Sequence, residues 1–289
     1  PSSRQRRRDG CDEIARMLSA SESEARSTMP RSCAGIGAVK GMRHRGKTGN
    51  RNSRRELEIE GRTNMVATDE TGINRGKAAI FDLDGTLLDS MGVWDQVDID
   101  FLSRRGIEVP DDYMTKVAAM QFRQIAEYTI ARFGLQDTPE ELMQEWDDMA
   151  RVMYSTVVEA KPFACEYLRQ LRDSGARLAV ATSLPPALRE PAMRHVGIFD
   201  YFNEIVSVDD AGDVGKDRPD VYLLAASRLG IMPKDCTVFE DLLVGMRSAK
   251  SVGMKVWAMH DDSSDLDWSE ICELADGVMF DFHDAPRRL

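Results

Sequence analysis

Cysteine is scarce in this chain of 289 residues: Cys11, Cys33, Cys165, Cys236 and Cys272 lie far apart and no CxxC occurs. That spacing suggests neither a zinc site nor a disulfide framework, and a reduced, cytoplasmic setting is the expectation. The four histidines, His44, His195, His260 and His283, have no metal-ligand spacing. No apolar run approaches the roughly 20 residues that span a bilayer, and no continuous apolar stretch of the kind found in secretory signals stands near Pro1. A membrane partner is therefore not expected.

Basic residues are also short where they matter most. The net charge is −11, but residues 1–64 hold 15 Lys and Arg against 8 Asp and Glu, a balance of +7, leaving −18 for residues 65–289. So acidic a body argues against nucleic acid as a ligand. An anionic substrate would need a local reversal of sign from a metal ion or a placed lysine. Residues 1–64 are rich in Arg, Ser and Gly and lack periodicity, so they read as a disordered basic tail. Met65 stands just before the first core-like segment, and a translation start assigned too far upstream accounts for such a tail. Gly41 to Thr48 matches a P-loop letter for letter, but neither a strand before it nor a helix after it supports that function.

From Lys77 the pattern sharpens. Ala78-Ala79-Ile80-Phe81 reads as a buried strand ending at Asp82-Leu83-Asp84-Gly85-Thr86. Residues 90–160 read as nearly all helix, with Thr138-Pro139-Glu140-Glu141 as one start and no good strand candidate. Beyond Pro162, helices and strands alternate, with strands at 177–181, 204–208, 237–239 and 255–259. Alternation of this kind implies an α/β fold with a doubly wound parallel sheet. The core then comprises residues 77–89 and 161–289, and residues 90–160 form an inserted all-helical cap domain.

Open α/β sheets bind ligands at the carboxyl ends of their strands. The residues expected there are Asp82 and Asp84, Thr182 and Ser183, Asp209 and Asp210, and Glu240 and Asp241, with Lys216 in a following loop. Clustered carboxylates repel one another, and a bound divalent cation relieves this; oxygen ligands beside a phosphate favour Mg2+. The duplicated acid suits two-step phosphoryl transfer, one carboxylate attacking phosphorus and the other moving the proton. A calcium loop fits poorly, because its sixth and twelfth positions would hold Leu87 and Val93.

Four segments resemble, in order, the four motifs of the haloacid dehalogenase-like superfamily, in its β-phosphoglucomutase and phosphatase branch. They are Phe81 to Ser90, Ala179 to Ser183, Gly215 to Asp220, and Phe239-Glu240-Asp241 with Gly245, Ala249 and Gly253. The resemblance implies Asp82 as nucleophile and metal ligand, and Asp84 as acid/base with its backbone carbonyl on the metal. It implies Thr182, with Ser183, and Lys216 as phosphate-binding residues. Asp241 is then a metal ligand and Glu240 a direct or indirect one. The helical insertion is implied to be a mobile cap whose substrate-facing residues are expected among Trp94, Lys116, Gln121, Phe122 and Arg123.

Two positions depart from many relatives, where serine stands in place of Leu184 and Leu242. The expected function is Mg2+-dependent hydrolysis of a small phosphorylated metabolite, a sugar phosphate. The alternative is a sugar-phosphate mutase. Mutases of this branch place a histidine on the first cap helix, where this chain has Trp94, and no histidine occurs between Asp82 and Arg194. A dehalogenase would leave Asp84 idle, and a phosphonate hydrolase would need a Schiff-base lysine in the cap, for which Lys116 is the candidate. A binding module that has lost catalysis fits poorly with intact Asp82, Asp84, Lys216 and Asp241.

Overall fold

Strand β1 (Ala78–Phe81) is buried at every position, because it is central in its sheet and covered on both faces. The computed structural model describes residues 72–117, 120, 122–212 and 214–289. The expectations for residues 1–64, including the P-loop match, and for Gln121 lie outside these.

Six parallel strands form the sheet in the order β5-β4-β1-β6-β7-β8, where β4 is Arg177–Thr182, β5 Glu204–Ser207, β6 Cys236–Glu240, β7 Lys255–Met259 and β8 Gly277–Met279. Side chains alternate between faces with period two. Ala79, Phe81, Leu178, Val180 and Phe239 join one core, and Ala78, Ile80, Ala179, Ala181 and Val238 the other. Helices α5 (Ala164–Asp173) and α6 (Pro186–His195) cover the first face; α7 (Asp220–Leu229), α8 (Leu243–Ser251) and α9 (Trp268–Leu274) cover the second. Both faces being covered explains why the strands read as apolar runs instead of alternating ones.

Between β1 and α5 the described residues form four helices: α1 (Val93–Arg104), α2 (Tyr113–Val117), α3 (Phe122–Phe133) and α4 (Pro139–Thr156). The α4 start is a capping box: Thr138 Oγ1 accepts from Glu141 N at 3.3 Å and Thr138 N donates to Glu141 Oε2 at 2.8 Å, with Pro139 as the first helical residue. Leu142, Trp146, Met149, Ala150 and Tyr154 are the buried stripe of α4, and α4 packs along α6. This insertion therefore shares the core of the first sheet face.

Several elements depart from the sequence reading. A two-stranded antiparallel ribbon, β2 (Leu88–Asp89) with β3 (Glu159–Ala160), closes the base of the insertion, so residues 90–160 are not free of strand. Two-residue strands carry no periodicity to read. Strand β8 and helices α2 and α9 were likewise too short to register. The core also begins before Lys77: buried Asn74 donates from Nδ2 to Ser174 Oγ and to Arg287 O, both at 2.9 Å, and accepts from Leu289 N at 3.0 Å. Cys236 is a buried free thiol. Among the described residues no helix is long and apolar enough to cross a membrane.

Phe81 stacks on Phe239 with ring centroids 4.5 Å apart, and Tyr167 meets both rings edge-on at 6.3 and 5.7 Å. This cluster lies directly beneath the strand ends that carry Asp82 and Glu240. Phe81→Ala is expected to lower unfolding free energy by about 3–5 kcal/mol, measured by urea denaturation; a loss below about 1 kcal/mol would show that the cluster is not structural.

Candidate active site

The sheet order sets β1 between β4 and β6, with Phe81 paired to Val180 on one side and Phe239 on the other. The residues that follow these pairs come side by side at the carboxyl edge: Asp82 after β1, Thr182 ending β4, Glu240 ending β6 and Asp241 beyond it. The chain reverses direction across the sheet at this point, where open α/β folds bind ligands.

After Asp82 the chain turns tightly: the Leu83 carbonyl accepts from the backbone of Thr86, Leu87 and Leu88. Gly85 sits at φ 76°, and a Cβ there would run into Asp241 Oδ2. Only glycine lets the motif I turn lie against Asp241. Thr86, just beyond it, donates from Oγ1 to Asp241 Oδ1 at 3.1 Å.

Lys216 is buried and reaches both neighbouring strand ends. Its Nζ is ion-paired to Asp82 Oδ1 and lies 2.6 Å from Glu240 Oε1. Glu240 is fully buried, and all its capacity is used: Oε1 also accepts from Tyr222 OH at 2.8 Å, and Oε2 accepts from the backbone N–H groups of Asp241 and Leu242, both at 2.9 Å. A Cβ on Gly245 would come within 2.6 Å of both Glu240 Oε1 and Tyr222 OH, so the fourth motif's glycine makes room for this network. Such saturation suits Glu240 to orienting Lys216 and the β6 turn.

Asp241 differs in this respect. Its Oδ1 accepts from Thr86, but its buried Oδ2 has no partner. Ligand oxygens of Asp82, Glu240 and Asp241 lie within 4.8 Å of one another. Burial pushes Asp82 up to about 7 against the opposing pull of Lys216, and Glu240 and Asp84 push it further in the same direction. Asp241 is raised well above the usual carboxylate range by burial and by the charges of Glu240 and Asp82. For Glu240, burial is outweighed by Lys216 and the hydrogen bonds, and its pKa is lowered. Burial disfavours the charged Lys216, yet Asp82 and Glu240 outweigh it and the ammonium persists. One ammonium among these carboxylates leaves a buried excess of negative charge and one orphaned oxygen. Both features fit a divalent cation held by oxygen ligands.

Asp84 is held from both sides: Ser90 Oγ donates to its Oδ1 at 2.6 Å and Tyr154 OH at 2.9 Å. Burial raises Asp84 and these two donors oppose the rise. Tyr154 and Tyr222 are not identified from sequence, and Thr86 and Ser90 belong to the first motif without a role assigned to them there. Thr182 is buried and accepts from Leu184 N at 3.0 Å, while Ser183 beside it is exposed.

The remaining sequence candidates divide. Asp210 caps its own turn, accepting from Ser207 N at 2.9 Å, and faces Arg189 at 3.8 Å. Trp94 packs edge-on against Phe122, ring centroids 5.5 Å apart, and Phe122 continues to Trp146 at 5.7 Å. Lys116 is exposed and paired to Asp112 at 2.6 Å; Arg123 is exposed and paired to Glu140 at 2.6 Å. Lys116 is thus engaged on the surface. His260, expected to have no metal-type partners, lies close to Asp262 and Asp265, but both carboxylates are exposed.

The model of the haloacid dehalogenase-like hydrolases matches residues 77–253. The chain belongs to that family. It is 30% identical over 176 residues to fructose-1-phosphate phosphatase YqaB of Escherichia coli (strain K12), covering 61% of this chain and 92% of that one. It is 26% identical over 179 residues to a phosphorylated carbohydrates phosphatase of Thermotoga maritima, covering 62% and 82%. Among solved structures, a HAD family hydrolase from Deinococcus radiodurans R1 with bound phosphate and sodium superposes with TM-score 0.56 at 26% identity, covering 70% and 90%.

A divalent cation at about 100 times its Kd is expected to stabilise the protein by about 2.7 kcal/mol, a rise in melting temperature of about 5–10 °C. Asp241→Asn is expected to abolish that rise without lowering the melting temperature of the metal-free protein, since the amide matches the carboxyl group in shape and burial already disfavours the charged form of Asp241. Calorimetric scans with magnesium and with a chelator check this; an unchanged metal response in the variant would exclude Asp241 as a ligand.

Proposed function

We propose that the protein is a Mg2+-dependent phosphatase that hydrolyses a small phosphorylated carbohydrate through an aspartyl-phosphate intermediate. The observation that carries this reading is Asp82 and Asp84 at the end of the central strand, with Lys216 on Asp82 and the unpaired Oδ2 of Asp241 alongside. Names of relatives supply the substrate class: fructose 1-phosphate for one and phosphorylated carbohydrates for another.

Asp82 attacks phosphorus and forms the acyl phosphate, while Asp84 gives its proton to the leaving oxygen. Asp84, now a carboxylate, takes a proton from the water that cleaves the acyl phosphate and returns Asp82. Lys216 balances charge on the transferring phosphoryl group, and Thr182 and Ser183 donate hydrogen bonds to it. Asp82, Asp241 and the backbone carbonyl of Asp84 would hold the magnesium ion, with Glu240 fixing Lys216. Bound there, the cation contributes Lewis-acid cancellation of phosphoryl charge. Residues 90–160 act as a cap over the site, presenting Trp94 and Phe122 to the substrate and excluding water.

Hydrolysis is favoured over mutase chemistry because Trp94 occupies the position where related mutases carry a histidine. A screen of phosphorylated metabolites with magnesium, and again with chelator, tests the reading. Steady phosphate release from a sugar monophosphate is expected, dependent on metal and lowered more than about 1,000-fold by Asp82→Asn. Full activity in that variant would remove the assignment. Efficient primer-dependent conversion of β-glucose 1-phosphate to glucose 6-phosphate, with negligible phosphate release, would establish the mutase instead.

A further inference from the structure

Asp84 receives two hydroxyl donors from distant parts of the chain. Ser90 directly follows β2, and Tyr154 lies on α4, 70 residues from Asp84. Both bonds end on the same oxygen, Oδ1. Two donors on one oxygen fix the rotation of the carboxyl plane and leave Oδ2 as the oxygen presented to another group.

Tyr154 is 1% exposed, at the end of the stripe Leu142, Trp146, Met149 and Ala150. A packing role would need the ring alone. A phenol buried this deeply carries a hydroxyl that must find a partner, and this one finds Asp84. Hydrogen bonds to an ionisable carboxyl group, shielded from water, are among the stronger ones in proteins. Tyr154 also belongs to the helical insertion, whereas Asp84 and Ser90 belong to the β1–β2 segment. One bond therefore links the seating of α4 to the aim of Asp84.

We propose that Tyr154 is a positioning residue: with Ser90 it holds Asp84 through Oδ1, so that Oδ2 faces the leaving oxygen only while α4 is seated. The proposal rests on the reading that Asp84 is the general acid. A shift of α4 away from the strand ends would leave Asp84 held by Ser90 alone and free to rotate.

The hydroxyl can be tested apart from the ring. Tyr154→Phe is compared with wild type on an alkyl phosphate, whose leaving oxygen needs a proton, and on 4-nitrophenyl phosphate, whose leaving oxygen does not. Loss of a buried hydrogen bond to the Asp84 carboxyl group predicts a fall in kcat/KM of about 10- to 100-fold on the alkyl ester, and a fall at least tenfold smaller on the aryl ester. Ser90→Ala, which leaves α4 packing untouched, is expected to give the same pattern. Equal losses on the two esters, or none on either, would overturn the proposal, because general loosening of the site does not depend on the leaving group. Asp84→Asn on the same two esters separates the layers: if it lacks this leaving-group dependence, the acid assignment itself fails, and the positioning role with it.

Discussion

Asp82, Glu240 and Asp241 are buried at adjacent strand ends, with the single ammonium of Lys216 between the first two. Charge burial on this scale is costly unless each group is paired. Glu240 meets that condition completely, through Lys216, Tyr222 and two backbone N–H groups. Asp82 meets it in part, and Asp241 keeps one oxygen bare. The protein thus carries an acidic cluster of the kind a cation would complete, and the surrounding architecture holds it in place. The Phe81–Phe239 stack fixes the strand ends below it, and Gly85 and Gly245 let backbone approach where a methyl group would not fit.

The helical insertion contributes to the same arrangement without adding charge. It shares a hydrophobic core with the first sheet face, so its seating has an energetic cost to change. Tyr154 converts that packing into a polar contact at Asp84. Lys116 and Arg123 are exposed and paired with Asp112 and Glu140. Trp94 and Phe122 pack on each other edge-on.

The strand ends were legible in the sequence because apolar runs ending in acids announce both the strand and the edge at which it stops. Pattern places Asp82, Asp84, Thr182, Glu240 and Asp241 at that edge together with Ser183, Asp209 and Asp210, and only the family resemblance separates the first group, with Lys216, from the rest. Tyr154 was missed although its signal was present: it ends an i, i+4, i+8, i+12 stripe from Leu142, and a tyrosine on such a stripe brings a hydroxyl needing a partner. What the stripe does not give is the identity of that partner, which depends on how α4 lies across the sheet. Asp112 and Lys116 stand four apart, a spacing that favours a local surface pair over a substrate contact. The β2–β3 ribbon pairs residues about 70 apart in two-residue strands, below any periodicity.

The central claim is that Asp82 becomes covalently phosphorylated during turnover. Quenching the magnesium-loaded protein in acid while it turns over a radiolabelled sugar phosphate, then mapping the label by peptide mass spectrometry, tests this directly. An acid-stable, base-labile phosphoryl group is expected on the peptide containing Asp82 and absent from the Asp82→Asn protein. A label on another residue, or steady turnover with no label at any quench time, would contradict it.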